Sequence, residues 1–361
     1  MITLDARMIQ HSGIGTYIRG LLSGMTPTQL KEMWLLGDPD LLNSYTDQII
    51  PFHSPIYGPG EQILLPRLLA RHPLTLFHSP HFNIPLLYCG RLVVTIHDMI
   101  HIRFPSFSRL PLARIYALAM IKQCLRKASW VITDSESTKR DLMDRGAPQD
   151  RLSVIPLAID ETLFREASGS DSSVLDKYSL APGFFLYVGN IRKIKNVPGL
   201  VAAYLRLKRA DSTVPPLVIA GKDQMPQWTR QYEKDPSIRI LTDVPFQDLP
   251  AFYRSAIAFV FPSFFEGFGL PPLEAMACGC PVISSRAGSL PEVLGEASLA
   301  IDPHNVGSIA DAMKQLFVNS SLRLQLIARG REQVKRYSWK TTARETFKIY
   351  GQLLEGKSHA A

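Results

Sequence analysis

Along the chain, short blocks of unbroken apolar residues, rich in β-branched and aromatic types, alternate with longer stretches whose apolar positions recur at helical spacing. In the first half the blocks are "MITLD", "MWLLG", "LTLFHS", "LVVTIHD", "WVITDS" and "LSVIP". The second half repeats the rhythm with "FFLYVGN", "PLVIAG", "IRILT", "IAFVFPS", "PVISS" and "SLAID". A run without alternation predicts a strand covered on both faces, and a helical stretch between runs predicts parallel strands joined by crossovers. The pattern therefore predicts an α/β chain of two Rossmann-like, doubly wound domains. The break falls in "EASGSDSSVLDKYSLAP", whose Ser, Gly and Asp content suits a connector. The expected division is a first domain over 1–166, a linker over 167–182 and a second domain over 183–338. In such sheets the ligand lies beyond the C-terminal ends of the strands, here in a central cleft between the halves.

Composition narrows this little. A length of 361 residues suits two cores, and 46% apolar with 20% charged residues is ordinary for a folded chain. No apolar run reaches the ~20 residues of a membrane span, and "MITLDARMIQ" lacks the pattern of a signal peptide, so a cytoplasmic chain is expected. Cys89, Cys124, Cys278 and Cys280 have no zinc spacing and read as packing residues. The net charge of +8 favours an anionic partner. It is spread through both halves rather than gathered in a stripe with aromatic residues, which argues against a nucleic acid.

The chemistry should then sit in the residues that follow each strand. After "MITLD", Gly13 and Gly15 open a helix whose free amides suit a phosphate; Ile18 stands where a dinucleotide fingerprint needs its third glycine. After "LVVT", His97 and His101 have zinc-like spacing, but His97 ends a strand and "IRFP" follows, so the better reading is a cleft-facing His97 held by Asp98 or nearby backbone. After "FFLYV", Gly189 leads into Asn190, Arg192, Lys193 and Lys195, a cluster suited to a polyphosphate.

After "IAFVFPS" comes "FFEGFGLPPLEAMACGCP", with Gly267 and Gly269 bending the chain and Pro271 and Pro272 in the first helical turn. Amides from Phe268 to Leu270 are then left to face a ligand. A carboxylate such as Glu266 is repelled by bare phosphate, yet accepts well from the vicinal hydroxyls of a sugar nucleotide, and Glu274 offers a second such acceptor. "GDPD" at Gly37–Asp40 contains a D-x-D but has no second acidic cluster, so no metal and no cofactor are expected.

These residues resemble a known family. "GIGTY", "VVTIHD", "YVGNIRKIKN", "VFPSFFEGFGLPPLEAMACGCPVISS" and "AGSLPEV" follow the order seen in retaining family 4 glycosyltransferases, with Glu266 to Glu274 similar to their E-x7-E motif. The resemblance implies the GT-B fold and the transfer of a hexose, best matched by mannose from GDP-mannose, to a saccharide acceptor. It implies that Glu266 holds donor-sugar hydroxyls, Glu274 the ribose, and Gly267, Phe268, Gly269 and Leu270 the distal phosphate and sugar. Lys195 falls on the diphosphate lysine, His97 on the histidine against the donor sugar, and Gly13 and Gly15 on the glycine loop. The family's phosphate arginine is replaced by Asn190 or Ile194, leaving Arg192 or Lys193 to substitute. A last helix over 339–361 is implied to cross back to the first domain through Trp339, Phe347, Tyr350 and Leu354.

The resemblance also implies retention; with no evident nucleophile, front-face attack is expected, His97 orienting the sugar. The segment "RFPSFSRLPLARIYALAMIKQCLRKAS", with Arg103, Arg109, Arg114, Lys122, Arg126 and Lys127, is either an interfacial helix for an anionic membrane surface or a core helix with a solvated basic face. On the first reading the protein is peripheral on the inner face of the cell membrane and its acceptor lipid-linked, as in lipopolysaccharide assembly. His81, Asn83 and Asp98 are the candidate acceptor residues. A nucleotide-sugar epimerase of the same fold, or a nucleic-acid-binding protein, are the alternatives.

Overall fold

A computed structural model of the chain describes residues 1–104, 111–165 and 171–356; Arg109, the start of the expected linker (167–170) and the end of the last segment (357–361) lie outside these residues. The chain divides into two units, Met1–Ala158 with the segment from Ser338 onward, and Ile159–Tyr337.

The first unit is built on seven parallel strands: β1 (Ile2–Asp5), β2 (Met33–Gly37), β3 (Ile49–Pro51), β4 (Leu76–Ser79), β5 (Leu92–Thr95), β6 (Trp130–Thr133) and β7 (Leu152–Val154). Their order is β3-β2-β1-β4-β5-β6-β7. β1, β4 and β5 are buried throughout, as the unbroken apolar runs require. Among the described residues β3 is the one strand without a matching run: three residues long, it lies at the edge and ends in a proline, which an edge tolerates. Strand order reverses between β1 and β4, so the segments leaving these two strands diverge and open a switch point.

The second unit carries β8 (Phe184–Val188), β9 (Leu217–Ala220), β10 (Ile238–Leu241), β11 (Ala256–Phe261), β12 (Val282–Ser285) and β13 (Ser298–Ile301), in the order β10-β9-β8-β11-β12-β13. All pairings are parallel, and the reversal falls between β8 and β11. The two doubly wound sheets are those the pattern predicts. Inside the stretch read as a linker, the helix Asp171–Lys177 forms in the second unit. Its Asp171 is clamped by Arg254 through Nε–Oδ2 (2.7 Å) and Nη2–Oδ1 (2.5 Å), and Leu175 is buried. Ser and Asp suit both a connector and a helix start, so composition alone did not separate them.

The helix Trp339–Leu354 belongs to the first unit and packs on Ile14–Gly24. A Cβ at Gly20 would stand 2.1 Å from Trp339 Cε2, and one at Gly24 2.1 Å from the Trp339 carbonyl oxygen. Side chains there would force overpacking. Trp339, Thr342, Ala343, Thr346, Ile349, Tyr350 and Leu353 form the buried stripe, spaced three and four apart. Leu354 is exposed and Phe347 only half-buried, so Leu353 takes the place expected of Leu354. Among the described residues no helix is long and apolar enough to cross a membrane.

Candidate active site

In the first unit the segment after β1 turns tightly. Gly13 has φ 77°, which favours glycine, and caps Ile14–Gly24. At Gly15 a Cβ would lie 2.5 Å from the Ile9 carbonyl oxygen, so the loop closes on itself only with glycine there. The Arg19 guanidinium donates to the same Ile9 oxygen.

His97 follows β5, and both of its ring nitrogens are engaged. Nδ1 lies 2.7 Å from Asp134 Oδ2, and Nε2 donates to the Pro80 carbonyl at 3.1 Å. Burial is the largest single influence on His97 and lowers its pKa, but the Asp134 carboxylate, Asp98 and the Pro80 carbonyl together make the net shift upward. The expected partner, Asp98, instead accepts from the Ile100 amide at 2.9 Å and starts the helix Ile100–Arg103, which carries His101. Asp134 stands just after β6, the neighbour of β5; its place at a strand end was the available signal, and the strand order supplies the rest.

A buried polar chain stands behind His97. Tyr350 Oη lies 2.5 Å from His78 Nδ1, His78 Nε2 is 2.8 Å from Thr95 Oγ1, and Thr95 is 3.1 Å from Tyr17 Oη. The Tyr17 ring meets His97 edge-on at 4.9 Å. Burial pushes His78 down to about 3, so it stays neutral and passes one hydrogen bond each way. Of the other candidates, Asn83 is buried, its amide donating to Glu61 and its carbonyl accepting from Tyr116, so it supports the surface rather than lining it. His81 is half-buried and bonded to Tyr57. Asp38 of "GDPD" caps the helix Pro39–Leu42 by accepting from the Asp40 amide.

In the second unit the switch point brings two loops together. The Phe264 amide donates to the Ile194 carbonyl at 2.9 Å, joining the segment after β11 to that after β8. Lys195 Nζ then reaches both Glu266 oxygens, at 2.6 and 2.7 Å, and lies 5.5 Å from the centre of the Phe261 ring. Close backbone approach builds this corner: a Cβ at Gly221 would stand 2.0 Å from the Gly189 oxygen, and one at Gly288 2.3 Å from the Glu266 oxygen. The Ser289 amide donates to that same Glu266 oxygen at 3.2 Å, while Ser289 Oγ lies 2.8 Å from the Phe268 carbonyl. This role of the "AGSLPEV" segment has no local signal in the sequence.

Asn190 contributes its carbonyl to Tyr187 Oη (3.1 Å). Lys193 is exposed, whereas Arg192 is half-buried and its buried Nε has no hydrogen-bond partner among the described residues. Gly269 adopts φ 107° before the helix Leu270–Ala277, with Pro271 and Pro272 in its first turn. The Phe268 and Gly269 amides make no hydrogen bond among the described residues. Glu274, inside that helix, is buried and accepts from Tyr253 Oη at 2.9 Å, a partner the sequence did not reveal. Burial pushes its carboxyl up to about 7.

The sequence matches two family descriptions, Glycosyltransferase Family 4 over residues 22–163 and Glycosyl transferases group 1 over residues 178–333. It is similar to the O-antigen chain mannosyltransferase B of Escherichia coli, with 34% identity over 282 residues, 76% of this chain and 74% of that one. It is 29% identical over 289 residues to the serotype-specific mannosyltransferase WbdA of Escherichia coli, covering 76% of this chain but only 35% of that longer protein. Among solved structures, sucrose-phosphate synthase from Thermosynechococcus elongatus superposes with a TM-score of 0.78 at 20% identity, covering 98% of this chain and 99% of that one. Anabaena Alr3699/HepE in complex with UDP and glucose gives 0.78 at 16%, covering 97% and 99%. At these identities the structures speak for the GT-B fold alone. The sequence matches go further: this chain belongs to the family 4, group 1 glycosyltransferases and is an enzyme of nucleotide-sugar transfer.

Proposed function

We propose that the chain transfers mannose from GDP-mannose to a saccharide acceptor with retention of configuration and without a metal. The observation that carries the reading is the Lys195–Glu266 pair at the switch point of the second sheet, together with the 34% identity to an O-antigen mannosyltransferase. A cation and a hydroxyl acceptor on one corner suit a ligand that is phosphate on one side and sugar on the other. Charge developing on the departing diphosphate is met by Lys195, by Arg192 and by the free amides at Phe268 and Gly269. Arg192 fills the place of the family's arginine better than Lys193, because its Nε is already buried and lacks an acceptor among the described residues. Gly267 and Leu270 flank those amides, and Gly13 and Gly15 let backbone approach the diphosphate. Glu266 takes the sugar hydroxyls and Glu274 the ribose.

His97 orients the transferred sugar. With Nδ1 on Asp134 and Nε2 on a carbonyl, it has no lone pair to spare for deprotonating an acceptor, which supports attack on the front face with the leaving phosphate taking the proton.

The test is a thermal-shift titration across nucleotide sugars, followed by product analysis by NMR. GDP-mannose should stabilise the protein most, by mass action, and the new linkage should keep the donor's anomeric configuration. Arg192→Ala should weaken nucleotide binding roughly tenfold, about 1.4 kcal/mol. An inverted product would end the retaining mechanism, and stabilisation by another sugar nucleotide alone would end the donor assignment.

The basic segment bears on the acceptor. Its helix Pro111–Lys127 buries Ala117, Met120, Ile121, Cys124 and Leu125, so it is a core helix, yet Arg114, Ile115, Leu118, Lys122 and Arg126 face outward. Arg103 is paired with Asp141 at 2.9 Å, and Lys127 donates to the Leu86 carbonyl. The outward face supports a peripheral contact with anionic lipid and hence a lipid-linked acceptor. Co-sedimentation with anionic vesicles at low salt should show binding that is lost at high salt; no binding at low salt removes the membrane contact.

A further inference from the structure

Two partly exposed tyrosine rings stand on the first unit beside a buried, hydrogen-bonded Glu61 and Asn83. Tyr57 is 54% exposed and Tyr116 39% exposed, and their rings meet nearly at right angles (69°) with centroids 5.9 Å apart. Large aromatic groups usually gain from burial, so a fixed and open pair needs an explanation.

The support beneath is costly to build. Tyr57 adopts φ 65°, an uncommon conformation for a side chain of this kind. Its amide is held there by Glu61 Oε2 at 2.9 Å. Glu61 is 1% exposed and receives Arg7 Nη2 on its other oxygen at 2.6 Å. The amide of Asn83 donates to Glu61, and the Asn83 carbonyl accepts from the Tyr116 hydroxyl. One buried carboxylate thus fixes the backbone of one tyrosine directly and the ring of the other through Asn83.

The hydrogen-bond directions are set as well. The Asn83 backbone N–H donates to His81 Nδ1 at 3.2 Å, so a neutral His81 carries its proton on Nε2 and donates to Tyr57 Oη at 3.1 Å. Burial pushes His81 down to about 3, which keeps it neutral at physiological pH. The Tyr57 hydroxyl accepts in that bond, which leaves its own proton for another acceptor. The corner offers partly exposed apolar ring surface, a donor at Tyr57 and an acceptor lone pair at Tyr116. A pyranose matches both features, with an apolar C–H face and hydroxyls around its rim.

We propose that Tyr57 and Tyr116 form a stacking corner for a sugar ring of the acceptor saccharide, held open by Glu61 and Asn83. This rests on the transferase reading above and names the acceptor side of it. Free lipid is a poorer occupant, because it uses the ring faces and leaves the oriented hydroxyls without partners.

The test uses the full chain with mannotriose as the probe, read by saturation-transfer NMR and by acceptor kinetics. Tyr57→Ala and Tyr116→Ala should each abolish or sharply weaken the sugar signal and raise the acceptor KM about tenfold or more, with GDP affinity and thermal midpoint near wild type. Tyr57→Phe, which keeps the ring, should retain most of the binding. Absence of mannotriose contact with wild-type protein, or an unchanged acceptor KM in both alanine variants, overturns the corner and leaves the transferase reading standing. Failure of every sugar nucleotide to bind overturns the transferase reading instead; loss of the mannotriose signal in both variants still upholds the corner. Loss of binding to anionic phospholipid vesicles in the alanine variants, with mannotriose contact intact, overturns it in favour of a lipid-facing role.

Discussion

Replacement of Lys195 by alanine is expected to lower kcat by ~10²–10³, the usual cost of removing one preorganised donor to charge that develops in the transition state. The effect should appear in kcat more than in the donor KM, since the diphosphate carries more charge as the bond breaks. The variant has a second consequence. Lys195 lies on both oxygens of Glu266, which is 6% exposed, so the substitution leaves a buried carboxylate without its cation. Breaking such a pair from one side commonly costs about 3–5 kcal/mol. The double variant Lys195→Ala/Glu266→Gln should recover most of that stability and none of the turnover. Single-turnover transfer at saturating donor, read beside urea midpoints, separates the two. Turnover within a few-fold of wild type in Lys195→Ala would sink the assignment of this corner to the donor.

Glu274→Gln is expected to move stability and function in opposite directions. Burial raises the Glu274 carboxyl from 4.5 to about 7. Between those values the folded chain keeps a proton that the unfolded chain has released. This group therefore weighs least on the fold below about pH 4.5, and its cost grows until pH passes about 7. At 1.36 kcal/mol per unit, the full cost of the buried charge is about 3 kcal/mol. Glutamine keeps the hydrogen bond from Tyr253 and removes the charge, so its gain in urea midpoint over wild type should be large at pH 8 and small at pH 5. Nucleotide binding should suffer, because ribose hydroxyls donate more strongly to a carboxylate than to an amide; a loss of about 10–100-fold at pH 8 is expected. Wild-type affinity should fall as pH drops below about 7, and that of Glu274→Gln should stay flat over the same range. Equal pH profiles for the two proteins would show that Glu274 does not contact the ligand as an anion. The expected trade is typical of sites kept for chemistry rather than for stability.

Much of this was legible in the sequence because the responsible residues are neighbours along the chain. Unbroken apolar blocks marked every strand except β3, whose three residues and terminal proline carry too little signal. Gly269, Pro271 and Pro272 announced the helix start by the local backbone chemistry they need. What escaped depends on strand order. His97 finds Asp134 because β5 lies beside β6, and Asp98, adjacent in sequence, points elsewhere. Tyr253 on Glu274 and Ser289 on the Glu266 carbonyl are likewise meetings of separate elements. The exchange of Leu354 for Leu353 is a smaller error of the same kind, since one position turns a helical side chain by about 100° and only the docked partner fixes the phase.

The helix Trp339–Leu354 also sets an order of events during synthesis. Its residues leave the ribosome after the whole of 159–337, yet they cover the face of Ile14–Gly24 that carries Gly20 and Gly24, and they supply Tyr350 to His78. Until they arrive, that glycine face lacks Trp339 and His78 Nδ1 lacks its Tyr350 partner. The second unit is one continuous stretch, Ile159–Tyr337, so all of it is made before the helix that completes the unit begun first, a reversal of the usual N-terminal-first sequence of domain completion.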